Sequence, residues 1–466
     1  MKRIVFLFFI LFLSNTAVSA KVSLPAMFTS HMVLQQRAEN RIWGKADPGS
    51  RIELTTGWDG RRYQGLADKE GDWQIEFITP AYGGPYTIDI SDGDTIRLDD
   101  ILIGEVWLCS GQSNMEMPLA GWGEVTNFKE EIANANYPQI RLLQTEHVTS
   151  NVPLENVALN SAGWEVCSPQ TVADFSSVAY FFAREIYKKT NVPIGLIHTS
   201  WGGTVAEAWV SKTSLSSMPD FKEVGTKLLE NDGPNRPTVL YNAMIHPFIN
   251  YRIKGVIWYQ GESNADRAEQ YQTLFPLLIR DWRAQWGSGD FPFYFVQLAN
   301  FMKKDEGVVQ QSNWAELREA QRQTLAVPNT GMAVSIDIGD AEDIHPKNKY
   351  EVGRRLALIA LNRSYGEKNE YSGPMVKSLK KKKSEIHVKF DHAAGLNSKG
   401  TLAGFSVAGS DGIFHPAEAR IVSGRVVVTS AVVNDAVEIR YGWANNPDAN
   451  LYNGAGLPAS PFRMQL

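Results

Sequence analysis

The chain has 466 residues, of which 43% are hydrophobic and 21% charged, so its length suits about three globular domains of ordinary composition. Its formal net charge of −5 provides no overall positive field, and we expect no nucleic-acid partner. The only cysteines are Cys109 and Cys167, which excludes a disulfide scaffold and zinc sites with four cysteine ligands. A disulfide between them and two free thiols are both compatible with the sequence.

Residues 1–20 have the pattern of a secretory signal peptide. Lys2 and Arg3 precede an apolar run at residues 4–13, and the small residues at 17–20 fit a cleavage site. The run is shorter than the roughly 20 residues of a membrane-spanning helix. We therefore expect cleavage before Lys21, a secreted or periplasmic protein, and no stable membrane span in the mature chain.

Residues 21–100 are typical of a small β domain. Apolar and polar side chains alternate with period two at residues 72–77 and 86–90, and Gly, Pro and Asp separate such segments. No stretch of this region shows helical periodicity. We predict an N-terminal antiparallel β-sandwich.

From residue 101 to residue 364, apolar strand-like segments alternate with helical ones. The predicted strands are residues 101–109, 195–200, 255–260, 293–298 and 331–336. The predicted helices are residues 178–189, 268–286, 314–325 and 350–362. This alternation predicts an α/β domain, with a parallel sheet and helices on both faces. The polar segment at residues 212–236 is interpreted as an excursion from the core.

Residues 371–466 return to a β pattern and are predicted to form a C-terminal β domain. The strand-like segments are residues 386–390, 425–429 and 437–441. Four consecutive lysines at residues 380–383 could be called a basic patch. Because they lie between strand-like segments of an acidic, exported chain, the solvated tip of a hairpin fits them better.

Four polar loops follow predicted strands of the central domain. They are residues 111–114, 200–204, 260–264 and 340–346. The carboxyl ends of parallel strands open on one edge of a sheet, where binding sites form. The four loops therefore predict a shared site.

The residue types in these loops suit acyl transfer. Ser113, at the start of a helix-compatible segment, is the candidate nucleophile, and its alternative role is a helix N-cap. His345 is the candidate base, since a serine hydroxyl needs one to act as a nucleophile. The candidate oxyanion donors are the backbone N–H groups of Ser113 and Gly203 and the side-chain amide of Gln260.

The other histidines are assigned less active roles. His198 lies inside an apolar strand and is interpreted as a hydrogen-bonded core residue, and His246 could line the wall of a site. The remaining assigned histidines fall in the β domains and are given structural or surface roles: His31, His387, His392 and His415.

The loops resemble those of the SGNH (GDSL-like) hydrolases, in the branch of the sialate O-acetylesterases and related carbohydrate acetylesterases. The resemblance rests on GQSNM at residues 111–115, WGGT at 201–204, WYQGESN at 258–264 and DIHP at 343–346. It continues through MVLQQ at 32–36, LYNAM at 240–244, NLYN at 450–453 and GLPA at 456–459, so it covers essentially the whole mature chain.

The resemblance implies an SGNH-type, flavodoxin-like parallel sheet flanked by N- and C-terminal β-sandwich domains. It also implies a serine esterase that needs no metal or cofactor and removes acetyl groups from sugar hydroxyls. Many members of the wider superfamily have an aspartate three residues before the histidine, but this chain has Glu342 there. The acid that orients His345 therefore stays open, with Asp343 ranked first, Glu262 second and Glu342 third, or with no acid at all.

The expected partner is an acetylated carbohydrate, with O-acetylated sialic acid first and acetylated xylan or another plant glycan second. Asn114, Trp201, Trp258 and Asn264 are the candidate substrate-binding residues. Two other hypotheses are a glycan-binding protein that has lost catalysis and an exported lipase or thioesterase. The sequence does not determine the oligomeric state.

Overall fold

The computed structural model describes residues 21–222 and 233–466. The predicted signal peptide at residues 1–20 and part of the predicted excursion, residues 223–232, lie outside the described residues. The described chain forms a central, mostly parallel sheet with helices, and antiparallel sheets precede and follow it in the sequence. The predicted α/β fold with β-rich flanks is confirmed.

The N-terminal region is built from short strands, and all of them pair antiparallel except the first, which pairs in parallel. These are β1 (Val33–Gln35), β2 (Glu39–Lys45), β3 (Arg51–Thr56), β4 (Arg62–Leu66), β5 (Asp72–Ile78), β6 (Gly83–Ser91) and the first part of β7 (Thr95–Gly111). Strand β2 pairs with β5, and β3 pairs with β4 and β6. In β5, Trp73, Ile75 and Phe77 are buried and the residues between them are exposed, as the period-two pattern predicts.

Strand β7 belongs to two sheets. Its first part pairs antiparallel with β6 as far as Ile103. From Glu105 onward it pairs in parallel with β10 (Ile194–Ser200), and from Trp107 with β11 (Gly255–Tyr259). The strand crosses the predicted boundary between residues 100 and 101 without a break, so the N-terminal β region and the central sheet share a strand.

The central sheet has the strand order β13–β12–β11–β7–β10–β8–β9. Its remaining strands are β8 (Tyr137–Gln144), β9 (Glu165–Cys167), β12 (Phe293–Val296) and β13 (Thr330–Ala333). All neighbours along this path are parallel except β8 and β9. Strand β8 was missed in the sequence because only its residues 140–143 form a buried run. Both cysteines are buried and free.

The helices are α1 (Ser113–Glu116), α2 (Phe128–Ala133), α3 (Ser177–Thr190), α4 (Lys212–Leu215), α5 (Ala268–Trp286), α6 (Asn313–Gln323) and α7 (Lys349–Tyr365). Short 3₁₀ turns lie at Ala206–Trp209, Pro219–Phe221, His246–Phe248, Glu262–Arg267 and Thr324–Ala326, and a π turn at Tyr241–Ile245. The four predicted helices correspond to α3, α5, α6 and α7, with ends that differ by at most three residues. Within the described ranges, no helix is long and apolar enough to cross a bilayer.

Two tryptophans show that helices cover both faces of the sheet. Trp107 of β7 packs edge-to-face on Phe182 of α3, with 5.0 Å between ring centroids. Trp258 of β11 is the register partner of Ser110, which points to the face opposite Trp107. Trp258 packs against Trp282 of α5, with 5.7 Å between centroids. The predicted placement of helices on both faces is therefore confirmed.

The C-terminal region contains two four-stranded antiparallel sheets and a separate strand pair. Its strands are β14 (Met375–Lys382), β15 (Glu385–Asp391), β16 (Asn397–Ser398), β17 (Phe405–Ala408), β18 (Phe414–Pro416), β19 (Glu418–Val422), β20 (Arg425–Thr429), β21 (Glu438–Tyr441), β22 (Leu451–Tyr452) and β23 (Phe462–Gln465). The sheet orders are β14–β15–β20–β19 and β18–β17–β21–β23, and β16 pairs with β22. The four lysines at residues 380–383 are exposed at the β14–β15 hairpin, as predicted.

Arg318 of α6 joins the C-terminal region to the central domain. Its side chain is fully buried and donates hydrogen bonds of 2.8 Å to the carbonyls of Leu298, Ala299, Ala444 and Asn445. Burial lowers the pKa of Arg318 to about 9. Four carbonyl acceptors compensate this buried cation, so the loop after β12 and the loop after β21 keep a fixed separation.

Candidate active site

The candidate nucleophile lies in the turn between β7 and α1. Strand β7 ends at Gly111, where a Cβ atom would lie 2.1 Å from the carbonyl oxygen of Tyr259 on β11. Only glycine allows this close approach of two backbones. The backbone N–H of Gln112 then donates to the same Tyr259 oxygen over 3.0 Å, and Ser113 begins α1.

Side-chain hydrogen bonds from the N-terminal end of α3 hold this turn in place. The hydroxyl of Ser176 donates to the Met115 carbonyl over 2.6 Å, and the hydroxyl of Ser177 donates to the Met117 carbonyl over 2.7 Å. These bonds satisfy carbonyls that the four-residue helix leaves without partners. The N-cap position belongs to Gln112, not to Ser113, so the Ser113 hydroxyl is not needed as a cap.

The structure brings Ser113 and His345 into hydrogen-bond contact. Ser113 Oγ lies 2.9 Å from His345 Nε2. The other ring nitrogen, Nδ1, faces Asp343 Oδ1 at 3.4 Å, and the same carboxylate oxygen accepts a 2.8 Å hydrogen bond from the His345 backbone N–H. Of the three acids considered from the sequence, Asp343 is therefore the one against the imidazole, whereas Glu342 is exposed to solvent.

Burial and charge adjust both titrating groups. Burial and then the positive charge of Lys349 lower the pKa of His345, and the opposing effect of Asp343 is smaller. Burial acts to raise the pKa of Asp343, but the His345 N–H and the Lys347 charge outweigh it, so this pKa lies below its usual value. At neutral pH the imidazole is therefore uncharged and the carboxylate ionised, as a general base with an orienting acid requires.

Glu262 does not contact His345 but belongs to a buried network with Asn114 and Lys349. Asn114 donates to Glu262 Oε1 over 2.6 Å and to the Ile344 carbonyl over 3.0 Å, and it accepts a hydrogen bond from Lys349 Nζ. Burial raises the pKa of Glu262 and lowers the pKa of Lys349 to about 7. Asn114 thus links the nucleophile turn to Ile344, the residue before His345. Glu262 accepts a hydrogen bond from Asn114 and so braces this link.

Two of the three expected oxyanion donors are available. In the parts of the chain that the structure describes, neither the Ser113 nor the Gly203 backbone N–H donates a hydrogen bond, and Gly203 is exposed with φ +73°. The Gln260 side chain is fully buried, and its amide donates to the Thr204 carbonyl over 3.2 Å and to Asn264 Oδ1 over 2.6 Å. Because both of its N–H groups are used, the expectation that Gln260 is an oxyanion donor is wrong.

Of the candidate substrate-binding residues, only Trp201 is at the surface of the site. Trp258 is fully buried against α5, Asn114 is enclosed by the network above, and buried Asn264 donates to Glu207 over 2.9 Å. Trp258 faces the protein because helices cover β11. The amides of Asn114 and Asn264 are used in hydrogen bonds to glutamates, so these three assignments are corrected. Trp201 is half-buried and lies directly before the Gly202–Gly203 turn.

Three residues at the site were missed in the sequence. Trp122 is 52% exposed and packs edge-to-face on His345, with 5.4 Å between ring centroids. His147 stacks on Trp201 at 4.4 Å with an interplanar angle of 7°. His147 lies in the loop after β8. Because β8 was not recognised in the sequence, this loop was not counted among those that follow strands. Lys349 is the third. Its only indication in the sequence is weak, namely its position four residues after His345.

The core role predicted for His198 agrees with the structure. His198 is buried in β10 and its Nε2 lies 2.5 Å from Ser200 Oγ, which confirms a hydrogen-bonded core residue. Burial lowers the pKa of His198 to about 4. Across residues 21–222 and 233–466, no three His, Cys, Asp or Glu side chains group closely enough to hold a metal ion.

Comparisons with known proteins show the family to which the chain belongs. Residues 103–362, which contain Ser113 and His345, match the family described as carbohydrate esterase, sialic acid-specific acetylesterase. The chain belongs to this family. It is 30% identical to the sialate O-acetylesterase of Mus musculus, over 94% of this chain and 93% of the mouse protein. It is 34% identical to the human sialate O-acetylesterase, over 75% of this chain and 72% of the human one.

A solved structure extends the similarity to the flanking β regions. The crystal structure of a carbohydrate acetylesterase from Xanthomonas citri superimposes with a TM-score of 0.87 and 41% sequence identity, over 95% of this chain and 99% of that one. The family resemblance found in the sequence is therefore confirmed. As a member of this family, the chain is a carboxylic-ester hydrolase.

Removing the Lys349 charge should move the pH dependence of turnover. In Lys349→Met the pKa of His345 should rise, because a positive charge that opposes protonation is gone. The acid limb of the kcat/KM profile should then shift to higher pH, and the plateau should fall by up to about 10²-fold as the His345 loop loosens.

Lys347→Met is the matched control. Lys347 also opposes protonation of His345, but its effect on the His345 pKa is smaller than that of Lys349, and its side chain is largely exposed. Its acid limb should move less than that of Lys349→Met. Equal shifts in the two variants, or none in Lys349→Met, would show that the buried lysine does not act on His345.

Proposed function

We propose that this chain is an exported carbohydrate O-acetylesterase in which Ser113 attacks the acetyl group and His345 transfers the proton. The observation that carries the proposal is the 2.9 Å contact between Ser113 Oγ and His345 Nε2. Asp343 behind the imidazole and two free N–H groups beside the serine complete the groups that acyl transfer needs.

The acylation step follows from these positions. His345 Nε2 accepts the Ser113 proton while Oγ bonds to the acetyl carbonyl carbon. The carbonyl oxygen becomes an oxyanion that the N–H groups of Ser113 and Gly203 can stabilise. As the carbon–oxygen bond to the sugar breaks, the imidazolium returns its proton to the sugar oxygen, which leaves as a hydroxyl.

Deacylation repeats the steps with water. His345 removes a proton from a water molecule, which attacks the acetyl-enzyme carbonyl. The imidazolium then protonates Ser113 Oγ as acetate leaves, and the free enzyme is restored. Asp343 keeps the proton on Nδ1 and stabilises the imidazolium in both steps, without itself becoming protonated.

Substitution of the reacting groups tests this mechanism. In Ser113→Ala, acetate release should fall to the low level that substrate binding and the oxyanion contacts alone support. Asp343→Asn should lower kcat by about 10⁴, because an asparagine favours the wrong imidazole tautomer. Glu262→Gln can still accept the Asn114 hydrogen bond and should lose far less. Rates are measured on a chromogenic acetyl ester.

The same series separates catalysis from binding alone. A glycan-binding protein without activity would release no acetate in any variant, including the unaltered chain. Full turnover in Ser113→Ala would contradict the proposed nucleophile. A loss in Glu262→Gln equal to that in Asp343→Asn would move the role of orienting acid away from Asp343.

The leading substrate is an O-acetyl ester of sialic acid, supported by the name of the matching family and by the mammalian relatives. Acetylated plant glycans are the second candidate. The 41% identity to the carbohydrate acetylesterase of Xanthomonas citri supports an acetylated carbohydrate as the substrate and fits either candidate.

A panel of substrates decides between the two. We expect kcat/KM for acetate release to be at least about tenfold higher on an O-acetylated sialoglycan than on acetylated xylan, which corresponds to about 1.4 kcal/mol of transition-state binding. Longer-chain acyl esters are the control for a lipase or thioesterase. The opposite ratio would assign the enzyme to plant glycans.

Export is the remaining part of the proposal. It rests on the charged, apolar and small-residue segments within residues 1–20. When the full chain is expressed in a bacterium, N-terminal sequencing of the secreted or periplasmic protein should begin at Lys21. An uncleaved cytoplasmic product would contradict it.

A further inference from the structure

Two side chains beside Ser113 have no place in the mechanism above. Glu116, at the end of α1, accepts a 2.5 Å hydrogen bond from the Gly202 backbone N–H through Oε2. Its other oxygen, Oε1, lies 3.0 Å from His147 Nε2. One carboxylate therefore joins the nucleophile helix, the turn after β10 and the loop after β8.

The bond to Gly202 places that glycine against the nucleophile. A Cβ atom at position 202 would lie 3.2 Å from Ser113 Cβ and 3.1 Å from Glu116 Oε2, so a side chain there would press on both residues. The next residue, Gly203, carries the free N–H proposed as the second oxyanion donor. The distance between that N–H and Ser113 thus depends on where Glu116 holds Gly202.

His147 extends the same contact to the surface. Its ring lies parallel to Trp201 at 4.4 Å, so one face of the indole is covered by the imidazole. Trp201 directly precedes Gly202 and is the aromatic surface nearest the turn. Flat aromatic faces of this kind are suited to packing against sugar rings.

The charges around His147 favour the cation. The hydrogen bond to Glu116 is the main cause that raises the pKa of His147. Burial acts to raise the pKa of Glu116, but the bonds from His147 and Gly202 outweigh it and the pKa is lowered. His198 faces the pair from β10 and is neutral, since burial lowers its pKa to about 4. An imidazolium also attracts the Trp201 ring more strongly than neutral imidazole does.

We propose that Glu116 and His147 form a clamp that positions the Gly202–Gly203 turn for oxyanion binding and the Trp201 ring for the sugar of the substrate. Both are positioning residues, because neither touches the reacting atoms. The inference rests on the proposed Ser113–His345 mechanism. The clamp divides its effects: Glu116 acts on kcat through Gly203, and the His147 ring acts on KM through Trp201.

The protonation of His147 gives the clamp a pH dependence. Because Glu116 raises the His147 pKa, the ion pair is intact at low pH and is lost as pH rises through that raised pKa. Since His147 acts through Trp201, kcat/KM for an acetylated glycan should therefore decline on the alkaline side through a rise in KM. The acid limb belongs to His345, so the two histidines define opposite limbs of the profile.

Substitutions of Glu116 test the effect on kcat. In Glu116→Ala the Gly202 N–H loses its acceptor, and kcat on 4-nitrophenyl acetate should fall by about 10²–10³, the usual effect of a lost oxyanion donor. Glu116→Gln can still accept from Gly202 without the charge and should recover most of this loss. Glu146→Gln, a neighbouring exposed acid, is the matched control and should retain the original kcat.

Two substitutions of His147 separate the ring from the charge. His147→Phe keeps an aromatic ring on Trp201 but removes the titrating group, so the alkaline limb should disappear while KM for an acetylated glycan stays within about threefold. His147→Gln keeps a hydrogen bond to Glu116 but removes the ring, and KM for the glycan should rise by about tenfold, the effect of losing one aromatic contact. KM for 4-nitrophenyl acetate should not change.

The thermal unfolding midpoint of each variant shows whether the fold is retained. If Glu116→Ala does not fold, the test rests on His147→Gln, and a KM for the acetylated glycan equal to that of the unaltered chain would overturn the clamp. Ser113→Ala in the same assay tests the proposed nucleophile separately from the clamp. If Ser113→Ala loses turnover but Glu116→Ala and Glu116→Gln keep the original kcat, the clamp is overturned and the mechanism stands. If Ser113→Ala keeps turnover, the mechanism and the clamp that rests on it are both overturned.

Discussion

The close backbone approach of β7 and β11 is the constraint on which the site depends. Gly111 and the Tyr259 carbonyl touch where both strands end, and no side chain fits between them. The nucleophile turn therefore starts from a fixed point at the centre of the sheet. Because β7 has β10 on one side and β11 on the other, the turns carrying Gly203 and Glu262 flank Ser113. This is the switch point of an open α/β sheet.

The histidine must reach that point from farther away. Its loop follows β13, which is separated from β7 by β12 and β11. The start of the loop is held by Arg355, which donates to the Val334 carbonyl and to Asp337 Oδ1 over 2.6 Å each. Its end is held by Asn114 through the Ile344 carbonyl. These contacts replace the positioning that adjacent strands would otherwise supply.

Buried ionisable side chains are a second feature of the site. Lys349 and Glu262 are enclosed with Asn114 between them, an arrangement that is costly without hydrogen bonds. Their value here is electrostatic, because Lys349 opposes protonation of His345. On the other side of Ser113, Glu116 and His147 are closer to solvent and lie 3.0 Å apart at Oε1 and Nε2. The nucleophile thus lies between one buried and one half-exposed polar network.

The C-terminal β region contributes to the site only at a distance. Arg318 bonds it to the loop after β12, and Asn300 in that loop accepts a 2.7 Å hydrogen bond from the Gly339 N–H. Gly339 lies shortly before the histidine loop. These contacts connect the C-terminal β region to the segment that leads into the histidine loop.

The sequence by itself determined most of the elements of the central domain and pointed to Ser113 and His345 as the candidate reacting pair. Residues 268–286 were predicted as the helix that is α5, because its apolar period is visible locally, and Ser113 and His345 followed from strand-end loops that share one edge. Only the tertiary structure decided the direction of side chains within those loops. Trp258 turns inward because helices cover β11, and Gln260 turns inward because its amide donates to buried acceptors. Asp343 meets the imidazole because its carboxylate also accepts a hydrogen bond from the His345 backbone N–H. His147 follows a strand whose buried run is too short to be recognised. Such choices depend on packing between segments far apart in the chain, which no local pattern records.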